Sequence, residues 1–246
     1  MKTQLNNVTL LGIDCVNPQR LLNAINISTN NIDFAFVKIL SSEDIDDKRL
    51  IKIPKLSSMQ EYSKFCLKDL HKYVETDFVL IIQWDGFVLN PKSWNSSFLG
   101  YDYIGSPWVV KDWSINDFGF PEKLRNTRVV GNGGFCIRSK KFLEVSSRLY
   151  WNGIFKTYHP EDIAISVWYR NLFIKEGIRF APVELARKFA LEGNDDTYDN
   201  QFGFHGFYTN LDKWMRENKK YTDVVRYYQD FKKNIKTYWK PDKIII

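Results

Sequence analysis

The sequence predicts an α/β architecture: a mixed, mainly parallel sheet flanked by helices. Three observations predict it. Short runs such as VTLLGI and FVLIIQ are apolar on both faces, as strands covered from both sides must be. The segments between them carry apolar residues near a 3.6-residue period, which belongs to helices packed on a sheet. Strand and helix then alternate through the first half of the chain, the pattern of successive βαβ units.

The first strand is read at VTLLGI (8–13), and it ends on Gly12-Ile13-Asp14. A helix follows over 18–28, opened by Asn17-Pro18, where proline suits the first helical turn. IDFAFVKIL (32–40) is the next strand, and the acidic loop SSEDIDDKR separates it from a short strand, LIKIP (50–54). SSMQEYSKFCLKDLHKYV (57–74) has helical spacing and leads into the strand FVLIIQ (78–83). Residues 92–130 hold Trp94, Trp108 and Trp113 among scattered proline and glycine, which predicts loops and short edge strands. VVGNGGFCIRS (129–139) reads as a strand broken by a glycine turn, and SKKFLEVSSRLYW (139–151) as a helix. His159-Pro160-Glu161-Asp162 opens a helix that stops at Gly177, and IRFAPVELARKFALE (178–192) is predicted as a strand. After QFGFHGF, helical material returns with Val224, Tyr228, Phe231, Ile235 and Trp239 on one apolar stripe. The expected organisation is one domain over 1–210 with a basic helical extension, 211–246, packed on it.

The composition, 44% hydrophobic and 16% aromatic over 246 residues, supplies a substantial core. No apolar run approaches the roughly 20 residues that cross a bilayer, and the first residues lack a charged region followed by a long apolar stretch. The expectation is a soluble, cytoplasmic protein. Cys15, Cys66 and Cys136 are odd in number, far apart and in no C-x-x-C pair, so they suggest neither a disulfide framework nor a zinc knuckle. The formal charge is +6, and residues 211–246 hold ten Lys or Arg against five Asp or Glu, a surplus of +5. Such a tail suits an anionic substrate, a membrane surface or a nucleic acid, and equally a solvated helix face.

Four short stretches offer chemistry. Gln83-Trp84-Asp85-Gly86 stands at the carboxyl end of a buried strand, where open α/β sheets bind ligands. Asp85 there either ligates Mg²⁺ or Mn²⁺, with Gln83 on the same side of the extended chain, or makes an Asp-Gly turn. Glu161-Asp162 offers a general base at a helix start, although two acids after proline also serve the helix dipole. Gly131-Asn132-Gly133-Gly134-Phe135 allows close backbone approach to a ligand or positive φ, and it is neither a G-x-G-x-x-G nor a P-loop. In Phe202-Gly203-Phe204-His205-Gly206, the histidine is either packed and hydrogen-bonded or a ligand.

Taken together and in order, SKFCLKDLHKYVETDFVLIIQWDGFVLNPKSW, YDYIGSPW, VGNGGFCIRSKKFLE, HPEDI, IRFAPVELARKFALE and FGFHG span most of residues 61–206. They resemble a glycosyltransferase-like family of unknown function allied to the GT-A nucleotide-sugar transferases. The resemblance implies a Rossmann-like GT-A sheet binding a nucleotide-sugar donor. Asp85 would stand where those enzymes keep a metal-binding Asp-x-Asp, with Gln83 in place of the first acid. His205 would supply a late ligand, so Asp85 and His205 would hold Mn²⁺ or Mg²⁺. Asp14, Gln83, Trp84, Asp85 and Gly86 would contact the donor, and Asn132, Gly133, Gly134 and Phe135 would lie against donor sugar and acceptor. Asp162 would be the base of an inverting transfer and Glu161 a sugar-hydroxyl ligand. Beside an ordinary glycan acceptor, the basic tail would let such a transferase hold a lipid-linked glycan through peripheral contact with an anionic membrane, or a nucleic-acid acceptor.

Two other classes compete. One is a non-catalytic glycan- or nucleotide-sugar-binding module that has lost the second metal carboxylate. The other is nucleic-acid binding through Lys219, Lys220, Arg226, Lys232, Lys233 and Lys236, interleaved with Tyr221, Tyr227, Tyr228 and Trp239.

Overall fold

The computed structural model describes residues 2–149, 158–193, 195–206 and 208–226. The elements run β1 Thr3–Ile13, α1 Pro18–Thr29, β2 Ile32–Ser41, β3 Leu50–Lys52, α2 Met59–Lys68, β4 Phe78–Ile82, β5 Gly86–Val88, β6 Tyr103–Gly105, β7 Pro107–Val109, α3 Asp112–Phe118, β8 Arg128–Val130, β9 Phe135–Ser139, α4 Lys140–Arg148, α5 Glu161–Ile163, α6 Arg170–Lys175, α7 Val183–Phe189, β10 Ala190–Glu192, β11 Gly203–His205 and α8 Asp212–Glu217.

Six strands form the main sheet in the order β3-β2-β1-β4-β9-β6. The pairs β3-β2, β2-β1 and β1-β4 are parallel, whereas β9 runs antiparallel to both β4 and β6. The expected mixed, mainly parallel sheet flanked by helices is therefore present. Among the described residues a three-stranded sheet, β10-β11-β5, and a two-stranded sheet of β7 with β8 stand beside it. Together they place the carboxyl end of β4 beside the start of β9 and the whole of β11.

Local sequence explains most boundaries. Pro18 occupies the first turn of α1, and the Ser58 hydroxyl accepts from Glu61 N to cap α2. Ser139 caps α4 in the same way, accepting from Phe142 N. Buried Phe98, Phe135, Phe189 and Phe202 meet at ring distances of 5.2–6.2 Å, an aromatic core beneath β9 and β11.

The chain departs from the expected elements at several points. Strand β1 starts at Thr3, with a register irregularity between Leu5 and Thr9 around Asn6-Asn7. The helix expected over 57–74 is α2 followed by a separate 3₁₀ turn, Leu70–Tyr73. Residues 112–118 form a helix within the stretch read as loops and edge strands, ended by Gly119 at φ 64°. The strand expected over 178–192 is wrong in its middle: Pro182 precedes helix α7, and only Ala190–Glu192 is a strand there. Glu, Leu, Ala, Arg and Lys at 184–188 favour a helix, and Glu184 early with Arg187 and Lys188 late suits its dipole. The helix after Asp162 is interrupted by a π-helical turn, Ala164–Trp168, before α6.

Of the expected C-terminal stripe, Tyr228, Phe231, Ile235 and Trp239 lie outside the described residues. Before them, Trp214 on α8 is buried, donates from Nε1 to Leu89 O at 2.9 Å, and packs against Phe87 and Tyr221. Among the described residues, no helix is long and apolar enough to cross a membrane.

Trp214→Ala should therefore cost about 3–5 kcal/mol of stability, read as a lower urea midpoint. A cost below about 1 kcal/mol would show that α8 is not anchored by this ring.

Candidate active site

At the end of β4 the chain turns tightly. Gln83 N donates to Gly134 O (2.8 Å), Gly86 N to Gln83 O (3.1 Å), and Gly206 N to Asp85 O (2.8 Å). Asp85 thus makes the turn its sequence suggests, and its carboxylate is also driven inward to 5% exposure. The Gln83 amide is oriented by donating from Nε2 to Tyr62 Oη at 3.0 Å, which leaves Oε1 3.0 Å from His205 Nε2. Asp85 Oδ1 lies 3.4 Å from the same ring nitrogen. The two side chains expected on one side of the strand end therefore meet on His205.

The other ring nitrogen of His205, Nδ1, lies 3.0 Å from Glu192 Oε1 and 2.9 Å from Asn132 Nδ2. Burial opposes charge on the ring, but the Asp85 and Glu192 carboxylates outweigh it and raise the pKa to about 10. Glu192 is largely withdrawn from solvent as well, its side chain 11% exposed. Its desolvation is outweighed by donors from His205, Tyr208 Oη (2.6 Å) and Asn132, so its carboxyl is held below the usual range. Trp108 Nε1 donates to Oε2.

The glycine turn joins this corner to the acid pair. A Cβ on Gly134 would stand 2.1 Å from His205 Nε2, and one on Gly133 would stand 2.1 Å from Glu161 Oε1. Positive φ at this turn belongs instead to Asn132 (66°). Its Oδ1 accepts from Phe135 N at 2.8 Å and its carbonyl accepts from Tyr103 Oη at 2.8 Å. The glycines thus make room for side chains of the site.

Glu161 and Asp162 diverge. Glu161 is buried, with Oε1 3.4 Å from Arg138 Nη2 and Oε2 accepting from Ser63 Oγ at 3.4 Å. Arg138 is itself fully buried against Tyr103 and Phe142. Asp162 accepts from Gly133 N at 3.3 Å and Ile163 N at 2.8 Å. Burial, then the charges of Glu161 and Glu192, push its pKa up to about 7 in spite of those donors. Beneath the pair, burial pushes the Cys136 thiol up to about 11 and the Cys66 thiol further, and Cys136 Sγ faces Gly133 O. His159 Nδ1 is 3.1 Å from Ser63 Oγ.

The remaining expected residues have other partners. Asp14 is buried at the start of α1, accepting from Val16 N, Asn17 N and Arg20, whose guanidinium lies 4.6 Å from the Trp84 ring. Asp14 and Trp84 therefore meet through Arg20. Phe135 is a correction. Strand alternation turns its fully buried ring into the aromatic core, against Gly203, so only its backbone borders the site.

The donor set suits a divalent cation. Ligands about 2.1 Å from an octahedral ion stand about 3 Å apart, close to the separations of Gln83 Oε1 and Asp85 Oδ1 from His205 Nε2. Two oxygens and an imidazole would suit Mn²⁺ better than the harder Mg²⁺, and a cation there would replace the Nε2 proton. Among the described residues no three His, Cys, Asp or Glu side chains form a group that could hold a metal ion, so a cation at this corner would need the Gln83 amide beside Asp85 and His205.

Residues 47–205 match a family described as protein of unknown function (DUF5672). The chain belongs to DUF5672. No curated protein matches this DUF5672 chain. Solved structures similar to it include the galactosyltransferase LgtC with donor and acceptor sugar analogs, at 11% identity, 80% of this chain, 86% of that chain and TM-score 0.43. A glycosyltransferase involved in glycosylation of the major capsid of PBCV-1 is 13% identical, over 87% of this chain and 98% of that one, at TM-score 0.41. The bifunctional IspDF from Campylobacter jejuni is 9% identical over 80% of this chain at TM-score 0.44, and the DUF5672 chain spans 52% of its length. At these scores, the chemistry rests on the chain's own residues.

Sequence reasoning missed Glu192, Arg138, Tyr62 and Ser63 in this DUF5672 site. Glu192 closes a strand before Gly193 at φ 75°, a position that could have drawn notice. Arg138, a cation within the apolar strand FCIRS, is an anomaly that called for a buried partner.

Two outcomes follow for DUF5672 variants. Gly134→Ala should lose about 1–3 kcal/mol in urea unfolding through overpacking, whereas Gly100→Ala, whose Cβ meets nothing within 4 Å, should be neutral. The Asp162 pKa is raised from 3.8 to about 7, so its favourable contribution is complete below pH 3.8 and is lost as pH rises through 7. Asp162→Asn escapes that loss, so its melting temperature relative to wild type should climb between pH 5 and pH 8. A flat difference would contradict the raised pKa.

Proposed function

We propose that this chain is a metal-assisted, GT-A-like glycosyltransferase that moves a sugar from a nucleotide-sugar donor to an acceptor hydroxyl with inversion. One observation carries this reading. The glycine turn touches Asp162 through Gly133 and His205 through Gly134, so a carboxylate able to take a proton near neutral pH lies one residue from the corner of Gln83, Asp85 and His205.

In this reading Gln83, Asp85 and His205 hold Mn²⁺ or Mg²⁺, which, when bound, supplies Lewis-acid compensation for charge on a diphosphate. Asp162 takes the acceptor hydroxyl proton on a carboxylate oxygen while Gly133 N and Ile163 N keep that carboxyl in place. The acceptor oxygen bonds to the anomeric carbon, the bond from that carbon to the phosphate oxygen breaks, and the nucleoside diphosphate leaves with the electron pair. Glu161, fixed by Arg138 and Ser63, binds a sugar hydroxyl. Asn132, Gly133 and Gly134 present backbone to donor and acceptor, and residues 211–246 serve as a basic extension of the domain.

The test is a panel of UDP-, GDP-, CMP- and dTDP-sugars, scored with and without Mn²⁺ by thermal shift and then by transfer to candidate acceptors. Asp162→Asn should lower turnover by about 10²–10⁴-fold with donor binding retained. Turnover by the wild type should rise with pH through about 7 as Asp162 becomes able to accept a proton. Normal transfer by Asp162→Asn, or a rate that falls across that range, would reject this assignment.

A further inference from the structure

Glu192 collects an unusual set of donors. His205 Nδ1 and Tyr208 Oη approach Oε1 at 3.0 and 2.6 Å, Trp108 Nε1 donates to Oε2, and the Asn132 amide donates as well. These donors come from β7, the glycine turn, β11 and the segment after it, so four separate stretches converge on one side chain. An ionised carboxylate offers about four acceptor sites, and here each has a claimant.

The Asn132 amide settles which partner can take a proton from Nδ1. Its Oδ1 is used by Phe135 N, so Nδ2, a donor, is what faces the ring. Of the two groups at Nδ1, only Glu192 can accept. With Nδ1 committed in this way, Nε2 points at Gln83 Oε1 and Asp85 Oδ1. Histidines that bind metals characteristically donate their second ring nitrogen to a carboxylate, which fixes tautomer and ring direction.

We infer that Glu192 is a positioning residue: it holds His205 through Nδ1–H and thereby aims Nε2 at the cation site formed with Gln83 and Asp85. The inference rests on the proposed transferase site and adds to it a residue that acts through His205 without touching donor or acceptor. Carboxamide at this position would present an N–H₂ group to a ring of donors, and Asp would be too short to reach Nδ1.

The test uses the full chain and two independent measurements. In ring ¹⁵N–¹H spectra, readily assigned because the chain has only three histidines, His205 should carry a proton on Nδ1 and retain it when Mg²⁺ is added. That Nδ1–H signal should shift or vanish in Glu192→Gln. In calorimetric titration with Mn²⁺ alone, Glu192→Gln and Glu192→Asp should bind roughly 10- to 100-fold more weakly than wild type. Gly100→Ala, whose Cβ meets nothing within 4 Å, should bind Mn²⁺ as wild type does. An unprotonated Nδ1 in the wild type, or Mn²⁺ affinity equal in wild type and both Glu192 variants, would overturn the inference. Should wild type bind no Mn²⁺ while the Nδ1 proton behaves as stated, the metal part of the proposed function fails and the positioning role stands.

Discussion

A carboxylate as buried as Asp85 requires compensation, because a charge removed from water is costly unless donors or an opposite charge surround it. His205 supplies positive charge at 3.4 Å, and Glu192 balances the far side of the same ring. This alternation of acid, imidazole and acid ties the turn after β4 to β10 and β11. Through Trp108 and Asn132 it also reaches the sheet of β7 with β8 and the start of β9. The close approach of these segments is permitted by what is missing at Gly134, since any side chain there would occupy the ring's position. Electrostatics and sterics thus specify one arrangement together.

The acid pair shows how neighbouring carboxylates acquire different characters. Glu161 faces a guanidinium embedded under the sheet, whereas Asp162 meets two backbone N–H groups and the repulsion of two other acids. Their different partners trace to a single arginine on β9, the strand that also begins at the glycine turn.

Much of the layout was legible because its causes are local. Apolar runs such as FVLIIQ suit interior strands, Asn17-Pro18 marks a helix start by its own chemistry, and a glycine cluster inside VVGNGGFCIRS had to interrupt its strand. Residues 178–192 misled because Phe180, Ala190 and Leu191 do extend, while the charged middle follows its helical preference between them. Within the candidate site, Asp85, Gly133, Asp162 and His205 stood out by residue type and position. Glu192 and Arg138 did not, since their meaning depends on partners 13 and 23 residues away that only the folded chain brings near. Phe135 erred the opposite way: it neighbours the site in sequence, yet the two-residue period of a strand turns it inward.

The buried thiols beneath the acid pair give the molecule a built-in gauge of its own breathing. Cys136 touches the turn at Gly133 and the carbonyl of Cys66 accepts from Arg138, so neither sulfur can meet a reagent while the floor under Glu161 and Asp162 stays closed. Because burial also keeps both in the unreactive thiol form, alkylation of Cys66 and Cys136 in native buffer, followed apart from that of Cys15, counts openings of that floor. A ligand that seats itself over the turn would announce its arrival by slowing that clock.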